Sequence, residues 1–228
     1  MGPSTVVGFR LPPTRDRMAG IGIGPPEFAV LEIEDPALRE QEVTRRLAPR
    51  LELVAAPLAA GLSRVMGRDV LPLVGTVARR RGRGIGEAYV AFAENPRSLR
   101  GAPHLLLVVS RDHLHARVAV RGASERVPAM QAAVVREAGN LARRGKPFRR
   151  LRAYAGWDFD NLPEVAPASS AAFWMEVADG LLESPRRPPH ADLGIAWPRD
   201  EARNLAIGDV LGAFRDIAPL FKLLANAT

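Results

Sequence analysis

Two strand-like segments joined by a short polar turn restrict the fold more than any other feature of this chain. Arg111 and Asp112 separate the apolar segment 105–110 from the segment 113–121. In the second segment, leucine, alanine and valine at every other position alternate with residues such as His115, Arg117 and Arg121. A period of two is typical of a strand with two different faces, and a two-residue turn joins antiparallel strands. The sequence therefore predicts an antiparallel hairpin.

Capping residues and apolar periodicity predict the remaining elements. Asp35 followed by Pro36 is typical of a helix start, because aspartate accepts backbone N–H bonds and proline tolerates the first helical position. Apolar residues from Val210 to Leu224 follow at spacings of three and four, which predicts an amphipathic helix. Besides the hairpin, the predicted strands are residues 27–35, 88–94, 151–159 and 191–197. The predicted helices are residues 36–48, 51–66 with a break at Pro49, 124–144 capped by Ser124, 169–182 capped by Ser169 or Ser170, and a last helix opened by Asp209.

The mixture of strands and helices lacks a regular β-α-β alternation, which favours the α+β class. We expect a single domain with a largely antiparallel sheet of about five or six strands covered by helices. Residues 67–72 are expected to be irregular. The boundaries are set at a flexible Gly/Pro-rich N-terminal extension over residues 1–26 and one α+β domain over residues 27–228.

Composition excludes several classes of protein. The chain has no cysteine, so it has no disulfide framework, no thiol nucleophile and no cysteine-bound metal. It also has no apolar run of about 18 residues and no secretory signal pattern near its start. These observations predict a cytoplasmic protein that does not span a membrane.

The positive charge of the chain is concentrated in its middle. Residues 43–152 hold 22 Lys or Arg and 7 Asp or Glu, a net charge of +15, within a chain whose total is +7. Two clusters dominate this excess, and we interpret them as a face that contacts a polyanion such as a nucleic-acid backbone, without sequence readout. The first cluster is Arg79, Arg80, Arg81 and Arg83; the second is Arg143, Arg144, Lys146, Arg149, Arg150 and Arg152.

Other interpretations of the same charges remain open. Arginine supplies 30 of the 32 cations, a preference that a GC-rich genome also produces. A glycine-rich basic turn is often simply solvated, and cations at a helix C-terminus are favoured by the helix dipole, which accounts for two or three of the second cluster. An acidic protein partner would meet the same surface.

A second hypothesis is a metal-assisted hydrolase acting on a small anionic substrate. Its candidate polar site consists of His104, His113, Asp158 and Asp160, since imidazole and carboxylate are the ligands available without cysteine. Ordinary surface or edge histidines and a turn or strand-end pair of aspartates explain these residues more simply. No metal, cofactor or catalytic residue is predicted, and enzymatic activity is left open.

The order of these motifs resembles the YktB-like family of small bacterial proteins of unknown function. The resemblance rests on the segments EFAVLEIED, LSRVMGRDVLPLVGTVARR, VAFA, NPRSLRGAPH and FRDIAPLFKLL and covers about 200 residues. It implies an α+β fold without an assigned reaction. Arg79, Arg80, His104 and His113 match the family pattern. Leu73 and Val77 stand where the family has histidines before the two arginines, so no histidine site is carried over there.

Overall fold

The computed structural model describes residues 20–78, 85–95, 98–144, 152–153, 168–182 and 188–228. Within these residues, six strands form one sheet in the order β1-β2-β3-β4-β6-β5, and every neighbouring pair is antiparallel. The strands are β1 (Leu71–Ala78), β2 (Ile85–Ala93), β3 (His104–Val109), β4 (His113–Arg121), β5 (Arg152–Ala153) and β6 (His190–Pro198).

Helices cover one face of this sheet. Their buried side chains form a single apolar core with the inward-facing residues of β2, β3, β4 and β6. A smaller cluster around Leu106 and Val108 lies on the opposite face. The helices are α1 (Pro25–Ala29), α2 (Pro36–Glu42), α3 (Ala48–Met66), α4 (Val127–Arg143), α5 (Ala171–Gly180), α6 (Arg199–Ala202) and α7 (Ile207–Ala225).

The architecture confirms the predicted α+β class and the largely antiparallel sheet covered by helices. The predicted hairpin is also present as β3 and β4, and the amide of Ser110 donates to the carbonyl of His113 at 2.9 Å to close the turn. Among the described helices, none combines the length and apolar character needed to cross a membrane.

The strand predicted over residues 27–35 is wrong, because this segment forms α1, a 3-10 turn and an irregular link to α2. Pro25 and Pro26 start the helix, and the Glu27 carboxylate accepts from the amide of Gly24 at 2.8 Å. The buried Arg39 guanidinium then donates to the carbonyl of Ile33 at 2.6 Å. Local capping and one long side chain thus satisfy backbone groups that a strand would pair with a neighbour.

The helix break predicted at Pro49 is also wrong. A π-helical segment, Val43–Leu47, joins α2 directly to α3, and Pro49 lies in the first turn of α3. Proline is tolerated there because the π-helical turn already interrupts the regular hydrogen-bond pattern, with the amide of Ala48 donating to the carbonyl of Val43. Pro57 lies inside α3.

Helix ends follow the predicted caps only in part. Asp35 accepts from the amide of Leu38 at 2.8 Å and Ser170 from the amide of Ala172 at 3.2 Å, as expected of N-caps. Ser124 instead donates to the carbonyl of Gly101 at 2.8 Å, and α4 begins three residues later. The last helix begins two residues before Asp209, whose carboxylate accepts from the amide of Ala206 at 2.8 Å.

Strand β1 extends beyond Pro72, in a segment where the sequence indicates no strand. It is an edge strand, where a proline without an N–H is tolerated. Gly75 lies beneath the ring of Tyr89, since a Cβ at this position would be 2.6 Å from the phenol oxygen. Proline and glycine are both disfavoured in strands, so strand propensity alone does not predict β1.

The fold includes residues before the predicted boundary at Glu27. Ile21 and Ile23 are buried in the main core, and the amide of Ile21 donates to the carbonyl of Leu205 at 2.8 Å. Residues 1–19 of the predicted extension lie outside the described residues. Of the strand predicted over residues 151–159, Arg152–Ala153 is described and pairs with β6.

Candidate functional site

Strand alternation gathers polar side chains on the face of the sheet opposite the main core. Because the even-numbered positions of β4 face the helices, the odd-numbered ones lie on the other side, together with alternate residues of β2, β3 and β6. We call this set the polar face. Its titratable and hydroxyl-bearing members are Glu87, Tyr89, His104, Ser110, His113, His115, Arg117, Arg121, His190 and Asp192.

Arg117 lies at the centre of the polar face and is fully buried. Its Nη2 is 3.3 Å from Glu87 Oε1 and its Nη1 is 3.7 Å from Asp192 Oδ2. Arg121 Nη2 donates to the same Asp192 oxygen at 2.5 Å. Gly194, directly opposite Arg117, has no side chain, and a Cβ there would lie 2.7 Å from Arg117 Cγ. These contacts connect β2, β4 and β6 through a buried ionic cluster.

The two carboxyl groups of this cluster differ in pKa. Burial raises the pKa of Glu87 to about 7, although the charge of Arg117 opposes the shift. Burial also raises the pKa of Asp192, but the charges of Arg121 and Arg117 outweigh it and leave the pKa below its usual value. Asp192 is therefore ionised at neutral pH, whereas the Glu87 carboxyl group changes between its protonated and ionised forms near pH 7.

Ser110 and His115 form a hydrogen-bonded pair, with 3.0 Å between Oγ and Nε2. The serine hydroxyl also lies 3.1 Å from the carbonyl oxygen of His113, so it can donate either to this carbonyl or to Nε2 of His115. Burial holds the pKa of His115 well below its ordinary value, and nearby Arg117 adds to the effect. His115 is thus neutral at pH 7, and its tautomer determines whether Nε2 donates to the serine or accepts from it.

His104 lies beside a cleft at the other end of the polar face. Its Nδ1 is 2.9 Å from the carbonyl oxygen of Ala102, and since a carbonyl only accepts, Nδ1 carries the hydrogen. Burial lowers the pKa of His104 to about 4, so the ring is neutral at pH 7 and Nε2 is an acceptor. The cleft has a volume of about 170 Å³ and is lined by Tyr89, Leu99, Arg100, His104, Leu106 and Arg121.

A second cleft, of about 400 Å³, lies between β6 and the start of α7. Its charged residues are Asp209, Arg215 and Asp216, of which Asp209 already accepts from the amide of Ala206. Opposite charges are interspersed in this cleft, whereas both charged residues described in the cleft beside His104 are arginines.

A family described as a domain of unknown function, DUF1054, matches residues 25–144. The chain belongs to this family. The DUF1054 match spans α1 to α4 and contains every member of the polar face except His190 and Asp192 on β6. No match is found among the curated proteins.

The structure does not bring the two histidines of the predicted hydrolase site together. His104 lies opposite Ala119, six residues along β4 from His113, which corresponds to about 20 Å. Asp158 and Asp160 lie outside the described residues. Among the residues that the structure describes, no three His, Asp or Glu side chains are placed to hold a metal ion.

Most of the predicted polyanion contacts also lie outside the described residues, namely Arg79, Arg80, Arg81, Arg83, Lys146, Arg149 and Arg150. Arg143 and Arg144 end α4 and are exposed, and Arg152 opens β5. Around the first cluster, Ala78 and Ile85 belong to β1 and β2 at one edge of the sheet, whereas β5 forms the opposite edge. Four strand spacings, about 20 Å, separate β2 from β5.

Sequence reasoning places His115, Arg117 and Arg121 on one face of a strand but assigns them no role. Glu87, Tyr89 and Asp192 are not singled out at all. The signal that identifies such residues is a charged side chain at alternate positions of an otherwise apolar strand, such as Asp192 within ADLGIAW. A charged side chain in a strand that is buried on both faces requires an oppositely charged partner. Three strands that each carry such a charge therefore indicate ion pairs between these strands.

Proposed function

We propose that this DUF1054 protein is a non-enzymatic binding module that contacts a polyanion, most simply a nucleic-acid backbone, through its two arginine-rich segments. The observation that carries the proposal is the segregation of charge, a net +15 over residues 43–152. Because like charges repel, a net positive charge of this size favours binding of an anionic partner. An acidic protein is the alternative partner.

The positions of the flanking strands support an extended ligand. Strand β1 ends and β2 begins at the end of the sheet where β3 turns into β4, because β2 and β4 run in the same direction. The chain enters β5 from this same end, since β5 is antiparallel to β6, whose last residues pair with the start of β4. Attachment points about 20 Å apart suit a polymer better than a small anion.

We infer that the chain belongs to the YktB-like family. Supporting this inference, the DUF1054 match includes four of the five segments on which the resemblance rests. The metal-assisted hydrolase is not proposed, because His104 and His113 are about 20 Å apart along the sheet.

Salt dependence of binding tests the proposed function. We expect the protein to bind a fluorescent DNA duplex at about 50 mM salt, with an affinity that falls steeply toward about 200 mM, measured by fluorescence anisotropy. Replacing Arg79, Arg80, Arg81 and Arg83 together by alanine should reduce the slope of log affinity against log salt by up to about 3 to 4, because each phosphate contact contributes about 0.9. A single-stranded RNA of equal length should show the same trend if the backbone alone is recognised.

A control variant distinguishes a local site from general basicity. Arg45, Arg46, Arg50 and Arg64 are exposed arginines on the helical side of the chain, and replacing all four by alanine removes the same charge. We expect this control to leave the salt slope nearly unchanged. Equal losses in both variants, or wild-type binding that does not respond to salt, would contradict the proposed function.

A further inference from the structure

The cleft beside His104 contains two arginines that the backbone holds next to each other. Arg100 forms an isolated bridge with Arg121, and the amide of Gly101 donates to the Arg121 carbonyl at 2.7 Å. Gly122 makes room for the Arg100 side chain, since a Cβ there would lie 3.0 Å from Arg100 Cγ. Like charges on neighbouring strands destabilise a sheet unless something compensates them.

Compensation is incomplete within the described residues. Arg121 pairs with the buried carboxylate of Asp192, which neutralises one positive charge. Arg100 is exposed and forms no ion pair with any described residue. The cleft therefore retains an excess positive charge at a position where a fork of N–H donors suits a carboxylate or phosphate group.

The other residues that line the cleft indicate which further groups a ligand would carry besides its anionic group. Tyr89, Leu99 and Leu106 provide an apolar surface, and the Tyr89 ring lies close to Gly75, where a Cβ would be 2.6 Å from the phenol oxygen. His104 presents Nε2 as an acceptor, so a ligand group that reaches it has to donate a hydrogen. A volume of about 170 Å³ is smaller than a typical pocket of about 300 to 1,000 Å³, which limits the ligand to roughly one ring or short chain.

We propose that this cleft binds a small organic anion through a carboxylate or phosphate group at Arg100 and Arg121. The apolar part of the ligand lies against Tyr89, Leu99 and Leu106, and a hydroxyl or amine donates to His104. The site goes beyond the proposed polyanion function, because it lies at the opposite end of the sheet from Ala78 and Ile85, the strand residues that flank the first arginine cluster.

Titration with defined anions tests this inference. Benzoate, 3-hydroxybenzoate, phenyl phosphate and inorganic phosphate are added to the full chain, and binding is followed by calorimetry and by NMR shifts. We expect saturable binding of 3-hydroxybenzoate or phenyl phosphate, and the stronger of the two identifies the anionic group. Benzoate should bind more weakly than 3-hydroxybenzoate because it lacks the donor, and inorganic phosphate should bind more weakly than phenyl phosphate because it lacks the apolar group.

Matched variants locate the binding in the cleft. Arg100→Gln should weaken the best ligand at least about tenfold, because a charge-assisted hydrogen bond is lost, whereas Arg64→Gln on the exposed side of α3 should not. Leu99→Trp should abolish binding by filling the cleft without changing charge. No saturable binding by any probe, or equal effects of Arg100→Gln and Arg64→Gln, would overturn the proposal. The alanine variant of the Arg79 to Arg83 cluster should bind the small anions normally, which separates this test from that of the polyanion function.

Discussion

A hydrogen in place of a side chain at Gly194 allows Arg117 to lie across the sheet. A Cβ at this position would be 2.3 Å from the carbonyl oxygen of Ala116 and 2.9 Å from the Cα of Arg117. Both neighbours are backbone atoms of a central strand, so neither can move away without disturbing the β4–β6 pairing. The ionic cluster of the polar face therefore depends on this one glycine.

Gly194→Ala is expected to lower the free energy of unfolding by about 1–3 kcal/mol or more, as overpacking of a closely packed site does. Urea denaturation at pH 7 measures the loss. Gly212→Ala is the control, because nothing lies within 4 Å of its added Cβ and alanine is favoured inside α7 by up to about 1 kcal/mol. A Gly194→Ala protein as stable as the wild type would show that the space between Gly194 and β4 is large enough for a Cβ atom.

His104 makes the stability of the fold sensitive to acid. Its pKa is about 4 in the folded protein against an ordinary value of 6.5, so its contribution is present above pH 6.5 and is lost as pH falls through 4. The full effect is about 3 kcal/mol, at about 1.4 kcal/mol per pKa unit.

His104→Asn should reduce the loss of unfolding free energy between pH 6.5 and pH 4, because asparagine does not titrate and its amide can donate to the Ala102 carbonyl. Urea denaturation of both proteins at several pH values measures the change. The remaining pH dependence combines two opposing groups: His115 is also held neutral by burial and adds to the loss, whereas Glu87, with its pKa raised to about 7, gains a proton in the folded state and opposes it. Parallel pH profiles for the two proteins would exclude His104 as a cause of acid lability.

At the scale of elements, the ends of helices depend on a few local bonds. The Asp35 carboxylate accepts from the amide of Leu38 at 2.8 Å, at a point where the chain turns from the irregular link into α2. Asp35→Ala should therefore cost about 0.5–2 kcal/mol of unfolding free energy, and Asp35→Asn, which retains an acceptor, clearly less. Thermal and urea denaturation of the two variants compare these costs. Equal losses would mean that the charge, and not the cap bond, matters.

Elements were predictable where one local rule acted alone. The β3–β4 hairpin and α7 follow from periods of two and of about 3.6, which tertiary contacts do not override. Residues 27–35 have strand-like composition, but Pro25, Pro26, Glu27 and Arg39 select a helix and a turn through capping and a buried guanidinium. Strand β1 was not predicted because glycine is uncommon in strands. Gly75 is needed to leave space for the ring of Tyr89, a residue 14 positions away that comes close only when β1 pairs with β2.

At the scale of the whole molecule, the candidate site shows where sequence reasoning stops. Strand alternation correctly separated His115, Arg117 and Arg121 from the apolar face of β4. The partners of the two arginines, Glu87 and Asp192, lie on β2 and β6, and no local sequence pattern predicts that β6 pairs with β4. Strand order was needed to recognise the ionic cluster, the cleft, and the distance between His104 and His113.

The position of β6 also determines which pieces of this chain can exist alone. The DUF1054 match ends at residue 144, whereas β6 pairs along the whole of β4, from His113 opposite Pro198 to Arg121 opposite His190. A fragment of residues 20–144 would leave β4 as a long open edge with an uncovered apolar side, a template for pairing between molecules. We expect this fragment to aggregate in size-exclusion chromatography, whereas the full chain does not. A monomeric fragment that unfolds cooperatively would contradict this expectation. Aggregation would show that the segment matched by the DUF1054 family is shorter than the segment needed to fold.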